Sequence, residues 1–187
     1  MRFAQTLWDM LPRSPFGSKP KPGSPSRTSN RKPGIPGPTP GPSTGMQARY
    51  DELVSEMKRV HGVRVVKWRS SMSGCAWEVR YVNGRRSRLI EAPYPKGPMS
   101  CAIFMHEIGH HAIGLSRYRP RCLEEYHAWR WGLDEMVERG FNVTARVLQR
   151  RDDALRYAVA KALRRGIKRI PIELAPYLGH PEPAGVS

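Results

Sequence analysis

The segment that most constrains the fold of this chain is PMSCAIFMHEIGHHAI, residues 98–113. At the 3.6-residue period of an α-helix, its apolar side chains cover nearly the whole circumference, and such a helix belongs in the interior of a domain. Pro98 fits the first helical turn, where its missing N–H costs nothing, and Gly114 fits the position after the last turn. We therefore expect a buried central helix with the other elements packed around it. Its apolar residues are Met99, Cys101, Ala102, Ile103, Phe104, Met105, Ile108, Ala112 and Ile113.

Three short segments that precede this helix have the pattern of β-strands. Residues 63–69 are rich in β-branched side chains, and residues 75–82 alternate between two faces. Asn83-Gly84 follows at once, and this dipeptide between alternating segments is the strongest short-range hairpin signal, because both turn residues adopt positive φ. Residues 85–92 then return as the third strand. The pattern predicts a small antiparallel sheet of three strands.

Three further segments have helical periodicity. Residues 46–61 place apolar side chains on one stripe, residues 121–139 follow the central helix, and residues 144–165 are amphipathic. The order of helix, three strands and then helices predicts an α+β domain with packed helices. The predicted stripes contain Tyr50, Leu53, Val54, Met57 and Val60 in the first segment, and Val147, Leu148, Leu155, Ala158, Val159, Ala162 and Leu163 in the last.

Composition divides the chain into three predicted parts. The first 45 residues contain 10 of the 18 prolines and 6 glycines, and such a segment buries too little apolar surface to offset the entropy lost on ordering. Residues 1–45 are therefore predicted to be a tail that is disordered from residue 12 onward. Residues 46–140 are predicted to form the main domain, and residues 141–187 a basic helical extension packed on it.

The net charge of +16 predicts attraction to polyanions or acidic proteins. Residues 144–169 contain nine Lys or Arg and two Asp, which gives the last predicted helix a basic outer face. Such a face binds DNA or RNA phosphates in some proteins and is only solvated in others. Because no aromatic residues interleave with the charges and no known nucleic-acid motif is present, we favour a solvated face with weak nucleic-acid binding at most.

Cysteine content and hydropathy indicate the compartment. The three cysteines, Cys75, Cys101 and Cys122, are too few and odd in number for a disulfide framework, which favours a reducing environment. The apolar run at the N-terminus is too short for a signal peptide, and no segment is long enough to span a membrane. We expect a cytoplasmic protein without a membrane partner.

The central helix contains the motif His106-Glu107-x-x-His110. Residues four apart lie on one helical face, so both imidazoles can reach one metal ion, and Zn²⁺ suits this donor pair. Glu107 lies about 100° around the helix, where it can reach a water on the metal and act as a general base in hydrolysis. Random placement of these residue types gives the motif with a probability of roughly one per cent. Buried polar residues also need partners, and a metal would supply them.

Two histidines leave a catalytic zinc site incomplete, because such sites usually have three protein ligands and a water. The following helix offers Glu124, Glu125, His127 and Cys122. Neighbouring residues on a helix differ by about 100° in direction, so at most one face of that helix can point at the metal. Spacing alone leaves the choice among these residues open.

The arrangement resembles the ImmA/IrrE family of zinc metallopeptidases. Members have a helix, a short three-stranded sheet and an active-site helix that reads H-E-[IL]-G-H-H or similar, followed by a helix with the pattern E-x-E-A-[DN]-x-[FW]-A. The segment EYHAWRWG, residues 125–132, lines up with that pattern. Two positions depart from it: His127 stands where a second Glu is common, and Trp129 replaces an Asp or Asn that normally supports the metal ligands. The resemblance covers roughly residues 46–140.

The resemblance implies a zincin-like fold and a gluzincin-type site. His106, His110 and Glu125 would bind Zn²⁺, and Glu107 would be the general base of an endopeptidase. The substrate would be a protein or peptide, including a DNA-bound regulator, and it would pair with the third strand by adding a strand to an edge of the sheet.

Other assignments stay open at this level. His111 is off the ligand face by about 100°, and we expect a packing role for it rather than oxyanion binding. Tyr118 and Tyr126 are weak candidates for oxyanion donors. The alternative function is that of a nucleic-acid-associated regulatory or phage-type protein with a structural or degenerate metal site.

Overall fold

A computed structural model of the protein describes residues 45–179. The elements in chain order are α1 (Gly45–His61), β1 (Val63–Arg69), β2 (Cys75–Arg80), β3 (Arg86–Pro93), α2 (Pro98–Ile113), α3 (Arg121–Glu138), α4 (Ala145–Arg164) and a 3-10 helix (Ile172–Tyr177). The α+β class is confirmed, and the zincin-like fold stays a prediction. The predicted disordered tail lies outside the described residues apart from Gly45, and the division into three parts is likewise still a prediction.

The three strands form a mixed sheet, so the prediction of an antiparallel sheet was wrong for one pair. The strand order is β1-β3-β2; β2 pairs antiparallel with β3, and β1 pairs parallel with it. The prediction assumed that strands consecutive in the chain are neighbours in the sheet. Instead β3 takes the centre, since it carries the buried residues Leu89, Ile90 and Ala92 and a central strand is the one best shielded from water.

The hairpin between β2 and β3 is confirmed, although its turn differs from the predicted one. The Gly84 N–H donates to Tyr81 O at 3.0 Å, and the Tyr81 N–H donates to Arg85 O at 2.8 Å. Gly84 has φ +79°, whereas Asn83 is not among the residues with positive φ. Only the glycine therefore adopts the left-handed conformation, as in longer hairpin loops that close with one such residue.

Helix α2 is the centre of the core, as its sequence predicts. Every residue from Ser100 to His111 is buried, and α2 contacts α1, α3, α4, β2 and β3. The core includes Phe104, Ile108, Trp129, Leu155 and Leu174. The predicted stripes of α1 and α4 face this core except at their margins, where Val60, Leu148 and Leu163 are exposed.

Within the part of the chain that the structure describes, no helix combines the length and apolar character needed to cross a bilayer.

Candidate metal centre

Helices α2 and α3 touch backbone to backbone through two glycines. A Cβ added at Gly109 would lie 2.6 Å from the carbonyl oxygen of Ala128, and one at Gly132 would lie 3.0 Å from the backbone nitrogen of His106. No side chain other than hydrogen fits the first contact. Neither glycine has a role that its spacing in the sequence would predict. They could have been noticed because a glycine inside a helix costs about 1 kcal/mol relative to alanine, which points to a packing constraint at that position.

This close approach brings Glu125 of α3 to both histidines of α2. Its Oε2 atom lies 3.3 Å from His106 Nε2 and 3.5 Å from His110 Nε2. One ligand atom from each of the three residues lies within 4.8 Å of the others. All three side chains are buried, with at most 4% of any of them exposed. Among residues 45–179, this is the one group of three or more His, Cys, Asp or Glu with the spacing of a metal site.

The other candidates for a third ligand lie elsewhere. Glu124 Oε1 contacts the far nitrogen of His110, Nδ1, at 3.2 Å. Cys122 is buried outside the three-residue group, and burial is the main cause that raises the pKa of its thiol. The His127 ring stacks on Tyr118, with 4.0 Å between ring centroids. Of the alternatives that the sequence left open, the structure brings only Glu125 to the two imidazoles.

Glu107 lies beside this group without belonging to it. Glu107 is 1% exposed, and its carboxylate packs against Gly74 of the β1–β2 loop, where an added Cβ would lie 2.5 Å from Glu107 Oε1. It is also close enough to His110 for its charge to contribute to that residue's raised pKa. The role of Glu107 as a general base stays a prediction, for a carboxylate that lies beside the candidate ligand group and outside it.

The two imidazoles are supported in different ways. The Trp129 indole stacks on the His106 ring, with centroids 4.5 Å apart and an interplanar angle of 24°. Trp129 therefore holds the His106 ring by packing against its face. His110 is instead contacted by Glu124 at Nδ1.

Burial and neighbouring charges shift the pKa values of His106, His110 and Glu125 in different directions. Burial lowers the pKa of His106 to about 4, although its hydrogen bond with Glu125 opposes this. Burial also acts to lower the pKa of His110, but the charge of Glu125 and the hydrogen bond to Glu124 outweigh it and raise the pKa to about 10. For Glu125, His110 and His106 outweigh burial and hold the pKa well below its ordinary value. In the metal-free group His110 is thus favoured in its doubly protonated form, and a metal ion would displace the proton on Nε2.

The neighbouring aromatic and histidine candidates do not join the group. His111 Nε2 donates to the carbonyl oxygen of Leu89 at 3.1 Å and so ties α2 to β3. Burial lowers the pKa of His111 to about 4, in agreement with the expected packing role of a neutral ring. Tyr118 and Tyr126 both pack against His127.

Comparison with protein-family models, curated proteins and solved structures finds no match.

The resemblance to the ImmA/IrrE family therefore stays a prediction carried by the motifs alone, and no relative supplies a role for any residue. Independently of that resemblance, the structure contains a buried group of His106, His110 and Glu125 that could hold a metal ion.

The β1–β2 loop closes the site on the side of Glu107. Arg150 of α4 donates from Nη2 to the Met72 carbonyl oxygen at 3.2 Å, and Arg69 donates from Nη1 to Ser73 Oγ at 3.1 Å. Both contacts hold the loop that carries Gly74 against the glutamate.

The expectation that a substrate strand pairs with the third strand was wrong. Both sides of β3 are already hydrogen-bonded, one to β1 and the other to β2. The edges of this sheet are β1 and β2. The expectation failed because it placed the strands in chain order, which would have made β3 an edge strand.

Proposed function

We propose that the protein is a zinc-dependent endopeptidase in which His106, His110 and Glu125 bind Zn²⁺ and Glu107 is the general base. The observation that carries this proposal is the position of Glu125 Oε2, 3.3 Å from one imidazole Nε2 and 3.5 Å from the other. Tetrahedral zinc with ligands at about 2.05 Å has neighbouring donors about 3.3 Å apart, which both of these carboxylate–imidazole distances approach.

The donor chemistry favours zinc over other ions. Two imidazole nitrogens and one carboxylate match catalytic zinc sites, whereas Mg²⁺ and Ca²⁺ prefer oxygen ligands only. A structural zinc site has four protein ligands, and the described group has three. The fourth position would be left to water or substrate.

In this proposal different residues bind the metal and transfer the proton during hydrolysis. Zinc, when bound, supplies Lewis acidity that polarises a peptide carbonyl and acidifies a water molecule. Glu107 accepts the proton of the attacking water, and Glu125 and the two histidines fix the geometry. The substrate is a protein or peptide, for which a DNA-bound regulator in the cytoplasm is the proposed class.

Metal content tests the binding step. Purified protein is expected to contain about one zinc per chain by plasma mass spectrometry, and His106→Ala or His110→Ala is expected to lose most of it. His127→Ala is the matched control, since His127 lies on α3 but packs against Tyr118. Zinc content that stays at the wild-type level in both ligand variants would refute the site.

Glu107→Gln tests the chemistry separately. The variant is expected to retain zinc, because Glu107 is not in the ligand group, but to lose peptide cleavage by 10²-fold or more, the usual contribution of a general base. The assay compares the peptides released in cells that express the wild type or the variant. Identical peptide sets would contradict the proposal.

A second function is favoured by the charge of α4. Its outer face includes the exposed Arg146, Arg156 and Arg164, which suits a nucleic-acid-associated protein with a structural or degenerate metal site. In that case DNA affinity falls steeply with added salt and Glu107→Gln leaves it unchanged. No binding at low salt would exclude this function.

A further inference from the structure

Glu124 lies where it can fix the orientation and tautomer of the His110 ring. It is 1% exposed, and its two oxygens have different partners. Oε1 lies 3.2 Å from His110 Nδ1, and Oε2 accepts the Ser116 backbone N–H at 2.8 Å. The nitrogen of His110 that faces Glu125 is the other one, Nε2.

This arrangement selects one tautomer of the ring. A carboxylate accepts hydrogen bonds and cannot donate them when ionised, so the contact with Oε1 requires a proton on Nδ1. A neutral ring with its proton on Nδ1 has its lone pair on Nε2, which points at the metal position. Metal-binding histidines are commonly fixed by a carboxylate in this way.

The Glu124 carboxylate is itself held in place by the backbone. Ser116 has φ 63°, a left-handed conformation that is uncommon for a residue other than glycine. In that conformation its N–H reaches Glu124 from the α2–α3 loop, eight positions earlier in the chain. The Arg121 guanidinium adds a longer contact of 3.8 Å to Oε1.

We propose that Glu124 is a positioning residue that, held by the Ser116 amide, keeps His110 in the tautomer and orientation that bind the metal. This role rests on the zinc site of the proposed function. It supplies polar support at His110, whereas His106 is packed against Trp129.

Zinc affinity, measured by competition with a chromophoric chelator on the full chain, tests this role. Glu124→Ala is expected to weaken zinc binding 10- to 100-fold, the usual effect of losing such a partner. Glu124→Gln is expected to weaken it by a smaller factor, though by more than about twofold, because its single amide oxygen replaces only one of the two acceptors used by Nδ1 and Ser116. Glu138→Ala on the exposed face of the same helix is the control and is expected to bind as the wild type does.

Two further readouts separate positioning from a purely structural role. In the zinc-loaded wild type, the His110 ring is expected to show an Nδ1–H proton in nitrogen–proton NMR, and this signal is expected to shift or broaden in Glu124→Gln. Denaturation of the metal-free proteins measures general stability. If Glu124→Ala does not fold, Glu124→Gln decides, since it keeps the size of the side chain.

The outcomes distinguish this role from the proposed function. Affinity within twofold of the wild type in a folded Glu124 variant overturns the role and leaves the zinc site intact. A wild type that binds no zinc overturns both. Tight zinc binding that depends on Glu124, in a protein that cleaves no peptide, supports the role and overturns the peptidase.

Discussion

His111 shows how strongly position decides the chemistry of neighbouring histidines. It is adjacent to His110, yet its ring lies against the Leu89 carbonyl oxygen and its pKa is lowered to about 4, whereas that of His110 is raised to about 10. Burial acts on both rings in the same direction, and only His110 faces two carboxylates. Sequence spacing identified His106, Glu107 and His110, because their relation is local to one helix. It offered Glu124 only as an alternative metal ligand and gave Gly74 no role, since their contacts depend on loops that return from elsewhere in the chain.

The lowered pKa of His111 predicts a loss of stability in acid. The unfolded chain takes up a proton near pH 6.5, but folded His111 takes it up only near pH 4. The unfolding free energy of metal-free protein is therefore expected to fall as pH decreases between these values. His111→Gln keeps a donor for Leu89 and is expected to make this decline shallower, measured by urea unfolding with a chelator at pH 7, 6 and 5.

His106 contributes to the decline in the same direction, because its pKa is also lowered to about 4. His110 acts oppositely: the stability from its raised pKa is complete below about pH 6.5 and is lost as pH rises toward about 10. A pH profile of His111→Gln identical to that of the wild type would contradict the assignment of His111 as a buried neutral ring.

At the level of elements, the pairing of α2 with α3 builds the candidate site, and β3 positions α2. The bounds of helices and strands could be predicted within one or two residues, because periodicity and glycine ends are local signals. The parallel pairing of β1 with β3 could not, since it joins strands that are separated by the whole β2 hairpin. The face of α3 that meets α2 was also undetermined until the contacts at Gly109 and Gly132 placed it.

Alanine substitutions at these glycines are expected to separate the two helices. Alanine favours a helix over glycine by about 1 kcal/mol, but overpacking costs about 1–3 kcal/mol. Gly109→Ala is expected to destabilise the protein more than Gly132→Ala, since its Cβ would lie 2.6 Å from a backbone oxygen rather than 3.0 Å from backbone atoms. Zinc affinity is expected to fall with stability, measured by denaturant unfolding and chelator competition.

Gly45 is the matched control for this pair of variants. It begins α1, and an added Cβ would meet nothing within 4 Å. Gly45→Ala is expected to leave both stability and zinc affinity unchanged or slightly raise stability. Gly109→Ala with wild-type zinc affinity would show that the site does not depend on the close contact of α2 and α3.

For the whole molecule, the candidate site and the hydrophobic core are the same region. His106 and Glu107 are among the most completely buried side chains, together with Trp129, Phe104 and Ile108. The sequence predicted this coincidence, because the motif lies on a helix that is apolar on nearly every side. It did not show how Glu107 is covered, which depends on Gly74 of the β1–β2 loop.

Zinc is therefore expected to stabilise the entire fold. A ligand at a hundredfold excess over its Kd adds about 2.7 kcal/mol to the unfolding free energy. Thermal unfolding with zinc and with a chelator is expected to differ by several degrees in the wild type and in Glu107→Gln. His106→Ala is expected to show no such difference, and an equal shift in that variant would mean that zinc binds elsewhere.

The closed surface over the ligands also has a kinetic consequence. Side chains that are at most 4% exposed offer no open path for an ion, so a metal bound there would enter or leave only when an element that covers them moves away. Such openings have their own rate, set by the contacts that hold them shut. The exchange time of the metal would then report on the opening of the protein rather than on the strength of the bonds between metal and ligands.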